Sequence, residues 1–290
     1  MRLLHSISET VGLEAYDIMK TRILLAAVAL PLLLLVLLVM PAIATGILVA
    51  GMSVIAVYEL LFCTGLIKDI RLVAVSAAMA LFIGIWSSGY REWGAFLAAM
   101  WVYFMLMFGL MIASHAKLRF EDVCVSAFAG IVIPMLLSAL TRILTLDYGK
   151  FYILIPLILS FGTDSAAYFV GIAFGRHKMA PVISPKKSWE GAAGGVLGGI
   201  LLMLLYAIVM DWGFGFDVSY GAAILYGVMG AVTCVLGDLT FSVVKRQTGI
   251  KDYGRLLPGH GGILDRFDSM TLVAPLAETL ILILPMLSRQ

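Results

Sequence analysis

The densest chemistry in this sequence lies between Ser242 and Asp268. There Lys245, Arg246, Lys251, Arg255 and Arg266 alternate with Asp252, Asp265 and Asp268 around a Pro258-Gly259-His260-Gly261-Gly262 turn. The basic side chains supply charge for phosphates, and a turn of this kind exposes backbone N–H groups for an anion. Asp265 and Asp268 are three residues apart, so both carboxylates share one face of a helix starting near Gly262. Acids at a helix start also cap orphan N–H groups, so Asp268 reads equally as a cap and as a ligand. His260 reads as a phosphate contact or a loop-shaping residue rather than a base, because a phosphate nucleophile is already ionised at neutral pH.

Just upstream, Asp238, Ser242 and Lys245 are four and three apart and face one way on a continuous helix. A carboxylate at the membrane-proximal end of an apolar run is costly unless it is paired or holds a cation. Asp238 and Asp265 are therefore candidate ligands for a divalent ion, and oxygen donors beside a phosphate site favour Mg²⁺. The competing reading pairs Asp238 with Lys245 or another buried cation.

A second polar group runs from Asp164 and Tyr168, one helical turn apart, to Ser184-Pro185-Lys186-Lys187-Ser188-Trp189-Glu190-Gly191. Asp164 is embedded in apolar sequence, which makes it a functional candidate or one half of a structural pair. Lys186 and Lys187 suit a lipid phosphate or a nucleotide phosphate, or serve as ordinary basic residues drawn to anionic headgroups. Trp189 fits an interfacial anchor. Glu59 and Glu278 lie within apolar runs, and no second residue fixes a role for either.

These residues must be positioned by membrane helices. The chain has 290 residues, 62% of them hydrophobic and 13% charged, with a mean hydropathy of +1.03. That composition excludes an ordinary soluble domain, and a net charge of +2 gives no argument for a nucleic-acid partner. Nine apolar runs are long enough to expect spanning helices: 23–40, 41–61, 72–88, 95–113, 123–140, 151–175, 191–210, 220–235 with a polar extension, and 271–286. The first reads as a retained anchor rather than a cleaved leader, since Glu9, Glu14 and Asp17 precede a long apolar stretch. Residues 1–22 have helical apolar spacing that suits an interfacial helix.

With nine spans and a cytoplasmic N-terminus, sixteen of the 20 Lys and Arg fall inside, leaving only Arg91, Arg142, Lys150 and Arg289 outside. Both polar segments then face the cytoplasm, where nucleotides are found. Gly191, Gly195 and Gly199 recur every four residues and predict close helix packing. Cys63, Cys124 and Cys234 have no paired spacing, which argues against a disulfide framework or thiolate metal site. No repeat or linker divides the chain, which reads as a single all-α membrane domain, 1–290, with its chemistry in 151–290.

Ser242 to Asp268 resembles, along its whole 27 residues, the signature of the phosphatidate cytidylyltransferase (CDP-diacylglycerol synthase) family: Ser-x-x-Lys-Arg, Lys-Asp, Pro-x-His-Gly-Gly and Asp-Arg-x-Asp. Asp164 and Ser184 to Gly191 are similar to its other polar stretches, with Ser188 where Thr is more usual. The resemblance implies the reaction of CTP with phosphatidic acid to give CDP-diacylglycerol and pyrophosphate, with Mg²⁺ and a second cation. It also implies a cavity open to the cytoplasm and sideways to lipid, in the bacterial inner membrane, and it favours a homodimer.

Carried onto this chain, the resemblance implies that Asp238 and Asp265 hold the metal with Asp268 in support. Lys245, Arg246, Lys251 and Arg266 neutralise the triphosphate, with Ser242, His260, Gly261 and Gly262 around it. Lys186 and Lys187 meet phosphate at the mouth, near Asp164 and Tyr168. A related CTP-dependent enzyme using another lipid is the nearest rival reading. A transporter with Asp164, Glu59, Glu278 and Asp238 as an ion path is the rival from another class, but it would spread its charges across the membrane thickness.

Overall fold

Each of the nine apolar runs forms a helix. The computed structural model describes residues 27–89, 92–254, 256 and 261–289, so the interfacial helix expected over 1–22 lies outside the described residues. The helices are α1 (Ala27–Leu38), α2 (Ala42–Cys63), α3 (Ile70–Trp86), α4 (Trp93–Ala113), α5 (Phe120–Leu144), α6 (Gly149–Phe174), α7 (Trp189–Gly213), α8 (Tyr220–Gln247) and α9 (Leu264–Ile283). Two small antiparallel ribbons complete the fold: β1 (Lys178–Ala180) with β2 (Ser184–Ser188), and β3 (Asp217–Val218) with β4 (Leu287–Ser288).

Among the described residues, six helices, α2 and α4 to α8, are long and apolar enough to cross a membrane. The other three expected spans, α1, α3 and α9, are not among them. The 17 residues of α3 rise about 26 Å, at the short end of what crosses a hydrocarbon core. Helix α9 carries Asp265, Arg266, Asp268 and Glu278 within its 20 residues. Helix α4 presents Trp93, Leu97, Trp101, Met105 and Ile112 outward. A continuous apolar face of that kind belongs in lipid rather than water.

Helix starts follow local chemistry. Asp69 accepts from Arg71 N at 2.9 Å, Ser188 from Gly191 N at 3.1 Å and Ser219 from Ala222 N at 3.3 Å, each satisfying an N–H left orphaned in the first turn. The α9 start has no such residue of its own. Among the described residues, single π-helical turns lie within α5 and α6 and at the ends of α2 and α7, and two of them, 59–63 and 158–162, bring Glu59 and the approach to Asp164 out of simple helical register.

The glycine row of α7 does what its spacing predicts. A methyl group on Gly191 would lie 2.9 Å from the Ala167 carbonyl of α6, and one on Gly199 would lie 3.0 Å from the Gly227 carbonyl of α8. Helices α6, α7 and α8 therefore meet backbone to backbone. Elsewhere Arg142 of α5 grips Glu278 of α9 through two hydrogen bonds, 2.7 and 2.6 Å, and so gives Glu278 a partner. The two are partly buried together, and bidentate geometry makes this a strong pair.

Candidate active site

The extension of α8 beyond its apolar part carries Asp238, Ser242, Lys245 and Arg246. As the i, i+4 spacing requires, Ser242 Oγ donates to Asp238 Oδ1 at 3.1 Å. The other oxygen, Asp238 Oδ2, is 2.6 Å from Lys187 Nζ on strand β2. Asp238 therefore pairs with Lys187 rather than with Lys245. The segment 178–188 is a ribbon docked on α8, and Arg246 Nε donating to the Ile183 carbonyl at 3.0 Å fastens it. Arg246 also donates to the Ile250 carbonyl at 3.1 Å. The two polar segments do meet in space.

Lys245 turns to Asp265 Oδ1, 2.9 Å away across the signature loop. Asp265 Oδ2 accepts the backbone N–H groups of Tyr253 at 2.8 Å and Gly262 at 3.0 Å. The Asp265 side chain is only 4% exposed. Tyr253, which sequence reasoning passed over, is fully buried, with its hydroxyl donating to the Phe241 carbonyl at 2.9 Å and its ring 5.4 Å from Lys245 Nζ. Burial first, and then the charges of Asp265 and Asp268, push the Tyr253 phenol well above its ordinary pKa, so it stays a neutral donor.

Glu59, on α2, is the other residue without an assigned role. It is 2% exposed, and its two oxygens accept Ile263 N at 3.0 Å and Leu264 N at 2.8 Å. The glycine-rich turn was expected to offer its N–H groups to a bound anion. In the structure the N–H groups of Gly262, Ile263 and Leu264 already serve Asp265 and Glu59. A mid-span acid was the available sequence signal for Glu59, but its partner lies 204 residues away.

Asp268 is 7% exposed and accepts Ser269 N at 2.7 Å, and it lies within Coulombic range of Asp238 and Asp164. Asp164 accepts from Cys234 Sγ and Ser269 Oγ, each at 3.3 Å. Together these groups border two adjoining cavities. One, of about 700 Å³, is lined by Asp164, Lys186, Asp238, Ser242, Lys245, Arg246, Lys251, Asp265, Arg266 and Asp268. The other, of about 580 Å³ and more apolar, is lined by Tyr168, Ile172, Met179, Lys187, Ala192 and Val235. Asp164, Ser184, Lys186 and Asp238 belong to both. Gly261 and Gly262 sit beside Asp265, and His260 lies outside the described residues.

Among the described residues no three His, Cys, Asp or Glu side chains converge closely enough to hold an ion alone. Mg²⁺ is ordinarily held by one or two carboxylates plus water and substrate phosphate, a smaller protein set than three side chains. Basic side chains facing carboxylates across one cavity can neutralise and orient a polyphosphate.

The sequence matches the model of the Cytidylyltransferase family over residues 20–284. It is 34% identical to a phosphatidate cytidylyltransferase of Staphylococcus haemolyticus over 268 residues, 91% of this chain and 99% of that protein. It is also 34% identical to the Bacillus subtilis protein of that name, over 89% of this chain and 95% of the relative. A Mycobacterium bovis protein of the same name is 40% identical over 165 residues, 57% of this chain; the matched stretch spans about half, 52%, of that relative's length. With the family match running through both polar segments and nearly every helix between them, the chain belongs to the Cytidylyltransferase family.

Proposed function

We propose that this protein transfers the cytidylyl group of CTP to phosphatidic acid, giving CDP-diacylglycerol and pyrophosphate, as a step of phospholipid biosynthesis. The observation that carries the reading is similarity to relatives of that name over 99% and 95% of their lengths. The adjoining cavities support it, since one is charged and the other more apolar, as a nucleotide and a lipid acceptor require. A phosphate oxygen of the lipid forms the new bond to the α-phosphorus of CTP, while the bond to the β-phosphate bridging oxygen breaks and pyrophosphate leaves.

The residues divide by cavity. Lys245, Arg246, Lys251 and Arg266 neutralise the triphosphate and the leaving pyrophosphate, with Ser242 on that side and Gly261 and Gly262 shaping the turn against Asp265. Lys186 and Lys187, with Asp164 and Tyr168, hold the lipid phosphate against the shared wall. Asp238, Asp265 and Asp268 are the carboxylates that would hold Mg²⁺, Asp265 doing so once Lys245 turns to the triphosphate. A bound Mg²⁺ supplies Lewis-acid polarisation and charge neutralisation at the phosphates, and a second cation fits the remaining negative charge. The same reading makes the chain one domain of nine spans in the bacterial inner membrane, with its N-terminus and site cytoplasmic, as a homodimer.

The test is conversion of phosphatidic acid by purified protein and labelled CTP, with Mg²⁺ and after chelation. Metal-dependent CDP-lipid with one pyrophosphate per product is the expected result. No product from folded protein, across phosphatidic acid and ether-linked or polyprenyl acceptors, rejects the reading.

A further inference from the structure

Glu59 stands outside both cavities of the proposed site, on a helix that contributes nothing else to them, yet every polar atom it offers is aimed at the signature loop. The α9 start lacks a capping side chain of its own, as its preceding residue is Ile263. The first N–H groups of a helix carry partial positive charge and need an acceptor. Glu59 Oε1 and Oε2 meet Ile263 N and Leu264 N, at 3.0 and 2.8 Å, which is the place a bound phosphate takes at many helix starts.

The loop is shaped to admit that carboxylate. A methyl group on Gly262 would lie 2.5 Å from the Glu59 carboxyl carbon, and one on Gly254 would lie 2.9 Å from it. Both glycines are thus needed as bare backbone where the loop wraps the acid. Asp265, next along the same helix turn, takes Gly262 N and Tyr253 N. Two resident carboxylates therefore divide consecutive N–H groups between them, and Glu59 fixes the turn that aims Asp265 at Lys245.

We propose that Glu59 is a positioning residue for the nucleotidyl-transfer site: a built-in anion that replaces substrate phosphate at the α9 start and sets the orientation of Asp265 and Lys245. The inference rests on the reaction proposed above, but its structural part is testable without that reaction. Glu59→Gln keeps the shape and removes the charge, while Glu59→Asp keeps the charge on a shorter stem.

Hydrogen exchange in detergent reads the positioning directly. Glu59→Gln is expected to speed exchange of the Ile263 and Leu264 amides at least tenfold with the other helices unchanged. Exchange there at the wild-type rate overturns the proposal, whatever the enzyme catalyses. In the CTP and phosphatidic acid assay, Glu59→Gln is expected to lower kcat at least tenfold with KM for CTP within threefold, and Glu59→Asp to recover part of kcat. Wild-type kcat in Glu59→Gln overturns the proposal, as does a loss that tracks only the amount of folded protein. A wild-type protein that makes no CDP-lipid rejects the reaction instead, and the exchange result still decides the role of Glu59.

Discussion

Lys245 and Asp265, twenty residues apart in sequence, join α8 to the first turn of α9 through a 2.9 Å contact between side chains that are 11% and 4% exposed. The pair closes the signature loop over Tyr253, whose backbone and ring both touch it. Water can screen little of this contact, so its charges matter more here than at a surface pair.

Asp265→Asn is expected to reduce CDP-lipid formation at least a hundredfold, roughly what loss of one preorganised electrostatic partner costs an active site. The amide leaves the Lys245 ammonium without its counter-charge, so the unfolding midpoint in detergent falls as well. Turnover by folded, membrane-inserted mutant protein, measured with labelled CTP, checks this. Near-wild-type activity would remove Asp265 from the site.

Lys187 borders the more apolar cavity and not the charged one, and it is 2.6 Å from Asp238. Lys187→Met is expected to raise KM for phosphatidic acid about tenfold or more, the worth of a charge-assisted hydrogen bond, with KM for CTP changed less than threefold. Equal effects on both substrates would contradict the division of the cavities.

Gly227 lies against α7 so closely that an added methyl group would sit 2.6 Å from Ile200 Cα. Gly227→Ala must push α7 and α8 apart and is expected to cost about 1–3 kcal/mol. A thermal scan in detergent should show a lower midpoint. An unchanged midpoint would mean the helices are not seated as described.

Short-range order was largely legible. Apolar runs marked the helices, though the polar extension of α8 runs on to Gln247 and α9 begins seven residues before the run that announced it. The i, i+4 placement of Asp238 and Ser242 became a hydrogen bond, and the glycine row became an interface. What stayed hidden depends on which helices become neighbours. Arg142 and Glu278 are 136 residues apart, and Glu59 and Ile263 are 204 apart. The hydrophobic pattern that specifies a helix does not say which other helix its one polar residue will face. Lys245 illustrates the limit, because it shares a face with Asp238 yet its long side chain reaches across to Asp265.

Asp164, Ser184, Lys186 and Asp238 line both cavities at once. A dividing surface of this kind has a kinetic meaning under the proposed reaction. Each substrate has its own compartment, so neither has to depart before the other arrives, and no covalent cytidylyl-enzyme is needed to carry the group between half-reactions. The rate law is then sequential, with double-reciprocal lines that intersect rather than run parallel, and lipid held within the bilayer can wait in place for the nucleotide.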